Sequence, residues 1–348
     1  MKKLSYSFCV LLCLFYCFAF SSCATTLNVR LTRPANLDLN GASTIAVLPF
    51  KPYAYYKNTN TSLGMEILIN TFYQIFDIND SDEQLIIDSL RSKIEKGLLE
   101  SPYITLVNAD LVEKAVKKGQ INPADVYLAG EVSYFDIDDD KTEERVLVKA
   151  AKGDEKAEYK TEKYWKRTVC MNLRYQVIDS STSKVISYDE VRMKNTSSRY
   201  NSKSSLPSAY SILESDIKYS ARKILENLQP YAVTKSLHLF SAKTKDKVLK
   251  SRMKVADQMA DNNQLQDSYT EFYRIYQETG LMEAGYNAAI IQEALGNLSV
   301  AEKMMMEVYE RYPETKVYKA LNDIQNEIKL ANRLNTQINK TESEDLDF

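Results

Sequence analysis

Side chains able to do chemistry are few in this 348-residue chain, and they are poorly spaced for it. His238 is the single histidine, set in Ser236-Leu237-His238-Leu239-Phe240. A metal centre or an acid–base pair needs partners, and the sequence holds neither a second histidine nor a Cys-x-x-Cys pair. His238 therefore reads as structural. Cys170, between Val169 and Met171, would need a histidine brought to it by the fold before it could act as a nucleophile, so it reads as a small buried apolar residue. Asp138-Asp139-Asp140 lacks the spaced oxygen ligands and the glycine of a calcium loop and reads as a solvated turn. Only nine glycines are available for phosphate-cradling loops. The expectation is a non-enzymatic chain with no catalytic residue, no metal ligand and no cofactor.

One thiol has a different chemistry open to it. Met1-Lys2-Lys3 gives a positive start, and Leu4 to Phe20 is apolar except for Ser5 and Ser7. This is the anatomy of an export signal. A helix of that run reaches roughly 25 Å, marginal against a hydrocarbon core of about 30 Å. Phe20-Ser21-Ser22-Cys23 resembles a bacterial lipobox, in which the cysteine is acylated and becomes the mature N-terminus. Residues 1–22 thus read as a lipoprotein signal peptide and Cys23 as the lipidation site, carrying palmitate-type acyl chains into a bilayer. Cys9, Cys13 and Cys17 leave with the signal, so Cys170 remains without a disulfide partner. Ala24-Thr25 lacks the aspartate that marks inner-membrane retention in some bacteria. The expected address is the outer membrane, lipid-anchored and facing the periplasm.

Removing Lys2 and Lys3 leaves 43 basic against 47 acidic residues, net −4, with no basic excess pointing to nucleic acid or to anionic lipid. Residues 23–41 read as a polar tether. Thr44-Ile45-Ala46-Val47-Leu48-Pro49-Phe50 suits a strand buried on both faces. Leu63 to Ile78 is apolar enough for a helix, and Tyr53-Tyr55-Tyr56 is the one tyrosine cluster. Ser81-Asp82-Glu83-Gln84 suggests a capping box ahead of Leu85, Ile86, Leu90, Ile94 and Leu98 at helical spacing. Asn108 can cap a second helix carrying Leu111, Val112, Ala115 and Val116, ended by Gly119. Val126 to Phe135 predicts a strand, and Val169–Ile178 and Val185–Met193 an antiparallel pair across Asp179–Ser183. Pro207 opens a long helix with Leu213, Ile217, Ala221, Ile224, Leu225 and Leu228 inward. The order predicts a layered α+β sheet domain over 42–235.

The segments IAVLPF, LVNADLVEKAVKKG, VYLAGEVSYFD, NLRYQVIDSSTSKVI and ARKILENLQPY are similar, in kind and order, to the CsgG-like and TolB N-terminal group of periplasmic domains. With the leader and Thr32-Arg33-Pro34-Ala35, the chain resembles an uncharacterised Bacteroidetes lipoprotein family. The resemblance implies a fold and a periplasmic address, not an activity. Curli-secretion proteins of the CsgG family add membrane hairpins to a shared barrel. Here the corresponding residues Asp138 to Arg167 offer no steadily apolar face, and each Lys or Arg near the bilayer midplane would cost roughly 2–4 kcal/mol.

From Asp246 helical periodicity dominates. Leu265, Ser268, Phe272 and Tyr276 match Leu298, Ala301, Met305 and Tyr309 at an offset of 33 residues. NAAIIQEALGNLSVAEKMMMEVYERYPE resembles a tetratricopeptide repeat. Residues 247–335 are therefore expected to form an all-α, TPR-like domain, with Thr315–Leu334 as its cap and 336–348 as a disordered acidic tail. Repeat grooves hold peptides on the first helix of each pair, which makes Tyr286, Asn287 and Ile290 the candidate partner-binding residues. The reading that results is a membrane-anchored periplasmic scaffold that binds a protein or peptide in cell-envelope assembly. The alternative is an oligomeric CsgG-like secretion component of the outer membrane.

Overall fold

The computed structural model describes residues 25–53, 81–118, 123–150 and 157–344. The leader, Cys23, Tyr55 and Tyr56, the expected helix over 63–78 and Gly119 lie outside the described residues. The chain divides into two compact units, one of 35–231 with the segment from 336 onward, the other of the N-terminal part through 34 with 232–335.

The first unit is a mixed α/β sheet domain. Strands β2 (Thr44–Val47), β3 (Thr105–Val107), β4 (Val126–Lys149), β5 (Glu158–Asp179) and β6 (Val185–Thr196) form one sheet ordered β3-β2-β4-β5-β6. β2 is parallel to both neighbours, and β4, β5 and β6 are antiparallel. Helices α1 (Ser81–Leu99) and α3 (Ala209–Leu228) cover one face, and α2 (Ala109–Lys117) the other. The period of two explains this sandwich: Ile45 and Val47 join the α1/α3 core, while Ala46 and Leu48 join the α2 core. β2 is thus buried on both faces, as its continuous apolar run predicts. Asn108 caps α2 by accepting the Asp110 N–H at 2.7 Å. Asp179 Oδ1 organises the β5–β6 turn, accepting from Ser181 N and Thr182 N at 2.9 and 2.8 Å.

Several expectations are corrected here. Asp138-Asp139-Asp140 is not a turn. It continues β4, whose ladder with β5 runs unbroken in pairing to Lys149↔Glu158 apart from two bulges. Leu85 is half exposed, and Ile87 takes its place in the core. Gln84 turns forward to Asp88 at 2.8 Å, one helical turn on.

The second unit is helical, with a small sheet. β1 (Thr26–Arg33) pairs with β7 (Tyr231–His238). Thr26 Oγ1 meets His238 Nδ1 at 2.9 Å and Ser236 Oγ donates to Asn28 Oδ1 at 2.8 Å, so the strands run antiparallel. The tether expected over 23–41 is therefore ordered: alternation in Thr26-Leu27-Asn28-Val29 buries Leu27 and packs Val29 on the core. Helices α4 (Lys247–Asp261), α5 (Leu265–Thr279), α6 (Met282–Ala294), α7 (Leu298–Arg311) and α8 (Thr315–Glu344) follow. Asp246 caps α4, accepting from Val248 N and Leu249 N at 2.8 and 3.2 Å. Ser268, which stands where the matching repeat has Ala301, is fully buried, and its hydroxyl donates to the Ala256 carbonyl at 2.9 Å. The tail expected to be disordered from 336 is instead helical to Glu344.

Candidate functional site

Helix α6 carries the three residues expected to face a partner, and it is buried on every face from Met282 to Glu293. Asn287 is 0 % exposed. Its Oδ1 accepts the Phe240 N–H at 2.7 Å, and its Nδ2 donates to the Phe240 carbonyl at 2.9 Å. Tyr286 stacks on the Phe240 ring, centroids 4.2 Å apart and planes 22° from parallel. Burial, then the carboxylates of Glu293 and Asp323, pushes the Tyr286 phenol up to about 12. The Lys316 ammonium lies 4.8 Å over the other aromatic, Phe240. Ile290 is buried. The groove residues Tyr286, Asn287 and Ile290 are thus turned inward, and Tyr286 and Asn287 hold the chain's own segment after β7. This corrects the expectation that they stand open to a partner.

Beside them lies an ionic cluster that sequence spacing could not reveal. Lys235 Nζ reaches Glu293 at 2.7 Å and Glu327 at 2.8 Å, and Arg33 pairs bidentately with Glu327. Two cations and two carboxylates leave it formally neutral. Burial pulls the Lys235 ammonium down, but the two carboxylates outweigh it and hold its pKa above the ordinary lysine value. Burial raises the Glu293 carboxyl despite Lys235. Burial would raise Glu327 as well, yet Arg33 and Lys235 outweigh it and hold that carboxyl below its usual range.

In the sheet unit the most conspicuous feature is the β4–β5 arm. β6 pairs with β5 only as far as Thr168, and a bridge from Tyr200 reaches Trp165. Beyond it the ladder from Thr142↔Tyr164 to Lys149↔Glu158 stands two-stranded, reaching roughly 25 Å at about 3.4 Å per residue. One face carries Glu143 opposite Lys163, bonded at 2.7 Å, and Arg145 over the Tyr159 ring at 4.4 Å. The other carries Glu144 opposite Glu162, with Arg199 bonded to Glu144 at 2.5 Å. Charges occupy both faces. At the arm's base Arg167 holds Asp139 at 2.6 and 2.9 Å and donates to the Pro207 carbonyl at 3.0 Å.

The remaining sequence candidates are quickly placed. His238 is exposed and bonded to Thr26, and Cys170 is half-buried with its thiol free. Tyr53 donates its N–H to Glu83 Oε1 at 2.5 Å and meets the Tyr134 ring edge-on. Among the described residues no cluster of three metal-ligating side chains occurs, and no helix is long and apolar enough to cross a membrane. A cavity of about 240 Å³ lies between Leu37, Leu39, Tyr103, Ile104, Leu228 and Ile338.

Neither a family model nor a curated protein matches the sequence. Among solved structures the chain is similar to the PelC dodecamer from Paraburkholderia phytofirmans, 14% identical over 59% of this chain and 98% of that one, with a TM-score of 0.27. It is also similar to protein XCC0632 from Xanthomonas campestris, 10% identical over 57% and 90% with a TM-score of 0.31. A third is lipoprotein GNA1162 from Neisseria meningitidis, 10% identical over 52% and 97% with a TM-score of 0.25.

Proposed function

We propose that the chain is a non-enzymatic, lipid-anchored envelope protein, held in the outer membrane through acylated Cys23 and serving as a scaffold for a protein partner on the periplasmic side. The observation that carries this reading is that Thr25 is already tied into the packed helical unit. Leu239 N–H donates to the Thr25 carbonyl at 2.9 Å, two residues beyond the lipobox cysteine. An acyl group on Cys23 would thus sit within roughly 7 Å of a packed unit, on a chain that extends at most about 3.6 Å per residue. Multiple acyl chains give lasting attachment without a spanning helix.

The helical unit supports a TPR-like reading: α4–α5 and α6–α7 are consecutive helical hairpins, with α8 covering the last of them. The strand order and the faces covered by α1, α3 and α2 support a CsgG-like reading of the sheet unit. With the α6 groove filled from within, the partner surface is assigned to the outer faces and the β4–β5 arm. Radiolabelled palmitate incorporation into wild type and Cys23→Ala, with membrane fractionation, tests the anchor. Label absent from wild type, or equal in the variant, overturns it.

The arm itself favours a second reading, self-association. A two-stranded ribbon is marginal alone in water, and this one projects beyond β6. Light scattering on the purified protein decides: a strict monomer removes that reading.

A further inference from the structure

The formal net charge of −2 conceals a local excess of the opposite sign. Between Lys243 and Lys254, five lysines, Lys243, Lys245, Lys247, Lys250 and Lys254, are exposed. None makes an ion pair among the described residues. Arg252, in the same stretch, is taken by Glu271 at 2.9 Å and Glu278 at 2.5 Å. The one acid interleaved with the lysines, Asp246, is engaged as the cap of α4. At about 100° per residue, Lys247, Lys250 and Lys254 share one stripe of α4. Val248, 69 % exposed, and Val255, 43 % exposed, stand at the edge of that stripe.

Two features say that this stripe is placed for an external anion. Cations in the first turn of a helix oppose its dipole, so Lys247 and Lys250 gain nothing from the position they occupy. The patch also follows directly on Leu239, whose N–H is bonded to Thr25, so the lysines begin four residues from the backbone that leads to Cys23. Ammonium groups flanked by exposed valines match a membrane interface, where anionic head groups sit above an apolar layer.

We propose that the lysine face of residues 243–254 seats on anionic phospholipid head groups of the membrane that holds Cys23, so that the helical unit lies against the bilayer in one orientation. The proposal rests on the lipid-anchor reading for its setting, but its test uses no acyl group. The chain from residue 23 onward, carrying Cys23→Ala and so no acyl group, is mixed with vesicles of phosphatidylcholine alone, or of phosphatidylcholine with phosphatidylglycerol, and sedimented at low and high salt. Binding is expected only with phosphatidylglycerol and is expected to disappear at high salt. Each lysine near the surface contributes about a fivefold factor in partitioning. The triple change Lys247→Glu, Lys250→Glu and Lys254→Glu should therefore cut binding by more than tenfold. Lys→Gln at the same three sites, which keeps a good helix former, should give a smaller, graded loss. The same reversal at the arm lysines Lys149, Lys160 and Lys163 should leave binding intact. Failure of wild type to bind phosphatidylglycerol vesicles, equal binding to both compositions, or an arm variant that loses as much as the α4 variant would each overturn the proposal. A palmitate result either way leaves this outcome unchanged, so the two readings fail separately.

Discussion

The side chain of Asn287 and the backbone of Phe240 exchange two hydrogen bonds, at 2.7 and 2.9 Å, although 47 residues separate them. An amide can do this because it carries a donor and an acceptor in one plane, as a neighbouring β-strand would. It satisfies both polar groups of a partly buried residue whose ring stacks on Tyr286 and lies under the Lys316 ammonium. Asn287→Ala would take both partners from the Phe240 N–H and carbonyl beside a fully buried position, each loss costing about 1–3 kcal/mol. The helical unit should lose about 2–4 kcal/mol in urea unfolding, and the Phe240 amide should lose its hydrogen-exchange protection. A variant as stable as wild type would show that water reaches Phe240.

Lys235 bridges Glu293 and Glu327, which otherwise face each other with only Arg33 to offset them. Removing one member of a buried ionic group costs about 3–5 kcal/mol, because the remaining charge is left uncompensated. Lys235→Met should show a deficit of that size near pH 8. Glu293 already has a raised pKa through burial. Without Lys235 that pKa rises further, so the deficit should shrink as pH falls toward 5 and Glu293 takes up a proton. Urea unfolding of both proteins at the two pH values measures this, and a deficit equal at both pH values would contradict it.

Asp257 is a titration site of the opposite kind, with another acid rather than a cation acting on it. Its Oδ1 is buried with no hydrogen-bond partner among the described residues, and burial, then Asp261, raises its pKa from 3.8 to about 6. The folded state therefore holds this proton more tightly than the unfolded state does. The resulting stabilisation is fully present below about pH 4 and is lost as pH rises through about 6. A tenfold gain in proton affinity corresponds to about 1.4 kcal/mol, and partial contact with solvent reduces the total to about 2 kcal/mol. Asp257→Asn, which cannot ionise, should match wild type at pH 4 and exceed it by that amount at pH 8. Thermal unfolding across the range gives the difference curve, and a flat difference would mean that Asp257 is well solvated.

These three sites show where the sequence could be read and where it could not. β2 was legible because its uninterrupted run Ile45 to Leu48 has one meaning, burial on both faces. Asn108 and the Asp179 turn were legible because their bonds span two or three residues. The pairing of Arg33 with Glu327 spans 294 residues, and no local pattern announces it. Asn287 was legible as a residue of a repeat helix, but not as one whose side chain is buried. Period analysis marks a helix face, while what covers that face was decided by the extended segment from Tyr231 to Phe240. The tether misled for a different reason. β1 alternates apolar and polar residues as a half-buried strand should, but its polar half and Pro34 suggested a solvated linker. The arm was half legible: Asp138 to Arg167 stood as the place of a hairpin, but β4 and β5 pair there through the backbone ladder and through cross-strand charge and cation–aromatic contacts, which leave no steady apolar period.

Gly285 tests how tightly the helical hairpins meet. It lies within α6, where alanine would gain about 1 kcal/mol of helix propensity over glycine. A Cβ at this position, however, would meet Tyr276 Cδ2 at 2.7 Å and Val308 Cγ2 at 2.8 Å. Those atoms come from α5 and α7, and both residues are buried. A phenol ring and a β-branched side chain, each held in a packed core, have little room to give way. Overpacking of this kind costs about 1–3 kcal/mol, so the steric effect outweighs the propensity gain. Gly285→Ala should lower the melting temperature of the helical unit by several degrees. Gly296→Ala supplies the contrast. Gly296 has φ of 81° with open space around its Cβ position, so its loss comes from backbone strain alone, about 1 kcal/mol. A larger substituent separates the two cases. Gly285→Val should be far worse than Gly285→Ala, whereas Gly296→Asn, a residue that tolerates left-handed backbone, should recover most of what Gly296→Ala loses. A Gly285→Ala protein that melts higher than wild type would mean that α5 and α7 stand further from α6 than these distances say.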